Sequence, residues 1–116
     1  MDGALQSLTD ALRQFAAARD WEQFHSPKNL ASALSVEAAE LLEHFQWMTE
    51  EQSRNLSDDK RELVSHELAD VLLYLLQIAD KLQIDLVQSA KSKLVVNAAK
   101  YPVDQARGSS RKYDER

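Results

Sequence analysis

Apolar residues recur along this chain at helical rather than alternating intervals. Leu5, Leu8, Leu12, Phe15 and Arg19 mark one stripe and predict a first helix over roughly Gly3 to Asp20. A turn or extended stretch follows around Asp20 to His25. Ser26 as N-cap and Pro27 as first helical residue then open a second helix, which is expected to run to about Trp47. Ser57, followed by Asp58 and Asp59, has the chemistry of a third helix start, and the pattern carries that helix to near Leu82. The fourth helix begins after Asp85 and ends at Tyr101, since Pro102 cannot continue it. The expected fold is therefore all-α, a bundle of four helices over residues 1–102, with 103–116 as a polar, mobile tail.

The stripes are interrupted by charge. On the second helix Leu30, Leu34, Leu41 and Phe45 share a face, and Glu37 falls inside it, with Glu40 at its border beside Ala33 and His44. The third helix places Leu63, Val64, Val71, Leu75, Ile78 and Leu82 on a stripe that has Glu67 in its middle and Asp70 at its edge beside Tyr74. Each helix thus directs two carboxylates, spaced i and i+3, toward the interior. Unpaired buried carboxylates cost several kcal/mol, and four together repel one another. Either they meet Lys or Arg across an interface or a cation lies among them. Neither stripe carries a facing base, so a hard divalent ion held by Glu37, Glu40, Glu67 and Asp70 is the simpler solution: Mg²⁺, with Mn²⁺ able to take its place. A di-iron bundle needs Glu-x-x-His pairs, and the chain offers only Glu22 to His25, outside a helix. His66-Glu67 lacks the second histidine of a zinc-protease helix.

Composition narrows the field. The 116 residues include two Gly, two Pro and no Cys, and the 74 residues from Lys28 to Tyr101 contain no Gly or Pro. Glycine-rich phosphate loops, disulfide frameworks, cysteine-zinc sites and thiol nucleophiles are excluded. Net charge is −5, which disfavours a nucleic-acid partner. There is no apolar run of membrane-spanning length and no signal-peptide pattern, so the expected location is cytoplasmic. The charge is divided: residues 37–70 hold 10 of the 19 acids against 3 bases, and residues 91–116 hold 7 bases against 3 acids. On the fourth helix Lys93, Asn97 and Lys100, beside Tyr101, follow one face. Lysines there suit phosphate oxygens opposite a metal, although an ordinary solvated face has the same pattern. Trp21, Phe24, His25, Trp47 and Tyr74 gather at the ends of the second helix or beside Asp70. Rings so placed serve either as core lids or as platforms for a nucleobase.

Taken in order, several segments carry a resemblance. These are Asp20-Trp21-Glu22-Gln23-Phe24-His25-Ser26-Pro27-Lys28-Asn29-Leu30, Val36-Glu37-Ala38-Ala39-Glu40-Leu41, Phe45-Gln46-Trp47, Glu67-Leu68-Ala69-Asp70-Val71-Leu72, and Lys93 with Asn97, Lys100, Tyr101 and Pro102. Together they resemble the MazG-like all-α nucleoside triphosphate pyrophosphohydrolases, most of all the dCTP pyrophosphatase type, over roughly Leu12 to Pro102. The resemblance implies Mg²⁺-dependent cleavage between the α and β phosphates of a nucleoside triphosphate. It implies metal ligation by Glu37, Glu40, Glu67 and Asp70, phosphate contacts by Lys93, Asn97 and Lys100, and a base and sugar pocket containing Trp21, His25, Trp47 and Tyr74. It also points to a homo-oligomer, a tetramer built as a dimer of dimers. Ala98 and Ala99 stand where animal members are basic, and the link from Met48 to Leu56 is shorter than theirs. Two further readings stay open. One is a non-catalytic helical module that binds a nucleotide or a partner; the other is a broad-specificity or differently directed relative.

Overall fold

The computed structural model describes residues 3–112 and residue 114. Every regular element among them is helical. The four long helices expected from the pattern are all present: α1 (Gly3–Ala18), α2 (Pro27–Glu43), α4 (Asp58–Lys81) and α5 (Leu86–Lys100). Two short elements lie between them, a 3₁₀ turn at Glu22–Phe24 and α3 (Glu50–Arg54), and α6 (Val103–Ala106) follows α5.

Local chemistry sets the helix starts. Ser26, Thr49, Ser57 and Asp85 each sit in extended backbone and accept a hydrogen bond from the amide three residues on, at 3.1–3.2 Å. Thr49 and Gln52 complete a reciprocal capping box, which is why a link expected to be irregular contains a helical turn. The second helix stops at Glu43, earlier than expected, and the chain from His44 to Trp47 continues as turns. α1 and α4 end alike. Asp20 and Gln83 adopt left-handed backbone, φ 54° and 55°, and the next amides, Trp21 and Ile84, return to the carbonyls of Ala16 and Ala79 at 2.9 Å.

The chain divides into two compact units. The first, ending at Ile84, contains α1 to α4, with α4 packed on both α2 and α1. Its buried apolar residues are Ala16, Leu30, Val64, Leu76 and Ala79. This corrects the stripe expected on α4, because Leu63, Leu75 and Leu82 are exposed while Leu76 and Ala79 are buried. A fixed stripe presumes one neighbour; α4 has two, so its covered surface changes along its length. Arg13 joins α1 to α4 through a two-pronged ion pair with Asp80, its Nε donating to Oδ2 at 2.9 Å and its Nη2 to Oδ1. Lys60 Nζ donates to His44 Nδ1 at 2.9 Å and ties the start of α4 to the end of α2. The second unit, from Asp85 onward, contains α5 and α6. No helix among the described residues is long and apolar enough to cross a membrane.

Candidate metal centre and nucleotide pocket

Glu37 on α2 and Glu67 and Asp70 on α4 meet where these helices pack, each offering a carboxylate oxygen within 4.8 Å of the others. Three of the four expected carboxylates are thus gathered at one point. Glu40 lies outside this trio but close enough that its charge disfavours ionisation of both Glu37 and Glu67.

The inner oxygens Glu37 Oε2 and Glu67 Oε2 are sealed from solvent and accept no hydrogen bond. Carboxylate oxygens are acceptors only, so two that face each other can bond only by sharing a proton. That sharing with Glu67 is the largest cause of a Glu37 carboxyl raised to about 7, ahead of burial and the nearby charge of Glu40. Glu67 is raised chiefly by burial. Tyr74 is also pushed up, by burial first and then by the charges of Glu37 and Asp70, so its hydroxyl keeps its proton at neutral pH. No Lys or Arg is paired with the trio among the described residues. An all-oxygen donor set with two orphaned oxygens suits a hard divalent cation, and binding one would relieve the repulsion that now raises Glu37.

Asp70 connects this cluster to a cavity of about 380 Å³. One wall is α1, through Leu8, Ala11, Leu12, Phe15 and Ala16; the other is α4, through Asp70, Leu73, Tyr74 and Gln77. Trp21 and His25 close it from the connection between α1 and α2. That connection is held by its own sequence: Asn29, in the first turn of α2, donates its side-chain amide to the carbonyl of Phe24 at 3.0 Å. The rings form a chain, Phe15 edge-on to Trp21 at 5.7 Å and Trp21 edge-on to His25 at 6.3 Å, with the Arg19 guanidinium 3.6 Å above Phe15. The linked rings form an aromatic wall at the mouth of the cavity.

Three of the four residues expected in a base pocket, Trp21, His25 and Tyr74, therefore share one cavity with a carboxylate of the cluster. Trp47 is not among its lining residues and is 89% exposed. Lys93, Asn97 and Lys100 lie on α5 in the second unit, where Lys93 and Asn97 are exposed and Lys100 is half-buried. Phe15 and Gln77 went unrecognised in the sequence as pocket residues. Phe15 reads as an ordinary member of the α1 stripe, whereas Gln77, seven residues after Asp70 and three after Tyr74, shares their face by spacing alone.

Comparison with known proteins places this arrangement among relatives. Residues 32–115 match the model of the MazG-like family. Human dCTP pyrophosphatase 1 is 46% identical over 104 residues, covering 88% of this chain and 61% of that protein, and the mouse protein of the same name is 45% identical over the same length. The chain thus spans about three fifths of the length of these curated relatives. A pyrophosphatase from Archaeoglobus fulgidus, known from its crystal structure, superposes with a TM-score of 0.70 at 38% identity, over 88% of this chain and 95% of that one. A family match across most of the chain, relatives well above 40% identity and a shared helical fold lead to one conclusion: the chain belongs to the MazG-like family.

Proposed function

We propose that this protein is a divalent-metal-dependent nucleoside triphosphate pyrophosphohydrolase that converts dCTP, or dCTP modified at position 5, to the monophosphate and pyrophosphate. One observation carries the reading: two orphaned, buried carboxylate oxygens sit in a cluster whose third member, Asp70, also lines an aromatic-walled cavity of about 380 Å³. That size and lining suit a nucleoside, and the adjoining acids suit the metal that polyphosphate chemistry requires. The names of the relatives, dCTP pyrophosphatase and pyrophosphatase, support the same reaction class.

Glu37, Glu67 and Asp70 would hold Mg²⁺ or Mn²⁺, with Glu40 completing the acidic set. Such an ion, when bound, screens phosphate charge and acidifies a bound water. Within the chain's own chemistry, Glu37 or Glu40 is the carboxylate we assign to accept a proton, since the cluster offers more acids than a single ion needs. Trp21 and Phe15 exclude water and offer faces for the base, and the Tyr74 hydroxyl, kept protonated, is a donor for the sugar or a phosphate oxygen. We assign phosphate contacts to Lys93, Asn97 and Lys100 from the charge of the two lysines and the face that all three share on α5.

A homo-oligomer, expected to be a tetramer, is part of the same reading. Leu42, Trp47, Leu63 and Leu68 are each more than half exposed, an apolar surface that another copy would cover. The test is pyrophosphate release from a panel of nucleoside triphosphates with and without Mg²⁺, run beside Glu37→Gln. Metal-dependent release led by dCTP or its 5-modified forms, and lost in the variant, is expected. Nucleotide binding with no release from any member of the panel would overturn the reading in favour of a binding module.

A further inference from the structure

Gln77 is the one carboxamide among the residues that line the cavity. It interrupts the run Val71-Leu72-Leu73-Tyr74-Leu75-Leu76-Gln77-Ile78-Ala79, is half-buried, and lines both the 380 Å³ cavity and a small recess beside Arg13 and Asp80. One hydrogen bond favours its orientation. Nε2 donates to the carbonyl of Leu73 at 3.3 Å, and a carbonyl can only accept, so the amide cannot turn over without losing that bond. Oε1 accepts no hydrogen bond from any described residue. Oε1 is therefore left to water, and a ligand entering the cavity with a donor at that point would take the water's place.

Position adds to this. Asp70, Tyr74 and Gln77 follow one face of α4, and Gln77 lies about 10 Å along the helix axis from Asp70 at 1.5 Å per residue. A nucleotide with its phosphates at the carboxylates and its base deeper in the cavity would bring its sugar near Tyr74 and its base near Gln77.

We propose that Gln77 is a specificity-determining residue, whose Oε1 accepts a hydrogen bond from the exocyclic 4-amino group of a cytosine nucleotide and disfavours uracil and thymine, which present a carbonyl there. The 4-amino group donates and the 4-oxo group only accepts, so an acceptor discriminates by leaving two acceptors opposed when the wrong base enters. This rests on the pyrophosphohydrolase reading above and names how its base would be chosen.

The experiment compares kcat/KM for dCTP, dUTP and the 2-pyrimidinone deoxynucleoside triphosphate, in which hydrogen replaces the amine. It is run with wild type, Gln77→Leu and Gln77→Glu in Mg²⁺. Wild type is expected to favour dCTP over both analogues by about tenfold or more, the scale of one buried hydrogen bond. Gln77→Leu brings the three substrates to within about twofold, and Gln77→Glu, which keeps an acceptor, retains the preference. A folded, active Gln77→Leu enzyme with the wild-type dCTP:dUTP ratio overturns the inference. So does a wild-type enzyme that treats the 2-pyrimidinone nucleotide like dCTP, an arm that needs no variant to fold. Failure of the underlying reading has a different signature: wild type releases pyrophosphate from none of the three.

Discussion

Replacing Glu37 by Gln removes one of the carboxyl groups that meet between α2 and α4. Two consequences follow at this residue. A folded-state carboxyl raised to about 7 from an ordinary 4.5 favours the fold below pH 4.5, and that contribution is lost as pH rises through about 7. Metal-free wild type is therefore expected to melt at progressively lower temperature between these pH values. Glu37→Gln should flatten that decline and melt higher than wild type at pH 8, as thermal denaturation in chelator would show. The same substitution should lower Mg²⁺-dependent turnover by about 100-fold or more, since loss of even a supporting group in a metal site costs up to that amount. Glu37 and Glu67 were legible in the sequence because each is a charge in an apolar stripe, a placement that needs a cation or a proton to explain it. Phe15 and Gln77 were not. An aromatic in a helix stripe looks like core until its exposure is known, and a lone glutamine announces nothing until a cavity opens beside it.

At the scale of elements, the Arg13–Asp80 pair sets how α1 stands against α4 and therefore the width of the cavity between them. Arg13 lowers the Asp80 carboxyl, mainly through the hydrogen bond and then by its charge. The sign is opposite to that of Glu37: stability from this pair is present above the ordinary Asp range, near 3.8, and is lost as pH falls through the lowered value. Asp80→Asn should reduce the melting temperature at pH 7 and show less further loss on acidification than wild type. It should also raise KM for nucleotide more than it lowers kcat, because it loosens a wall and touches no carboxylate of the cluster. Element starts were readable from Ser26, Ser57 and Asp85, whose capping chemistry is local. The covered face of α4 was read less well, since the choice of Leu76 over Leu75 depends on α1, sixty residues away in sequence.

Across the whole molecule, few apolar side chains of any size are fully covered: Leu30 and Leu76 are the largest. Leu76→Ala should cost about 2–5 kcal/mol, the range for removing a buried leucine, measured by urea denaturation. A chain of 116 residues with so slender an interior and several half-exposed leucines gains from association. The melting temperature is accordingly expected to rise with protein concentration, and light scattering at micromolar concentration should report a species larger than one chain. A concentration-independent melt of a single chain would remove the oligomer from the proposed function. Helical periodicity and the lack of Gly and Pro from Lys28 to Tyr101 located this all-helical architecture in the sequence at once, whereas exposure of Trp47 required the turns after Glu43 to be seen.

The twin helix ends at Asp20 and Gln83 bear on how this protein can change over time. Both are side-chain-bearing residues in a left-handed conformation that costs about 1–2 kcal/mol without glycine. Gln83 lines no part of the cavity but donates its side-chain amide to the carbonyl of Asp80 at 2.8 Å, so Gln83→Gly exchanges that bond for a relaxed backbone. Asp20 precedes Trp21, whose ring closes the cavity, and its own carboxylate receives Gln23 at 3.1 Å. The same exchange at Asp20 would loosen the segment that presents the tryptophan. Two positions with one backbone geometry thus differ in evolvability, one answering only to its own helix end and the other bound to the pocket it introduces.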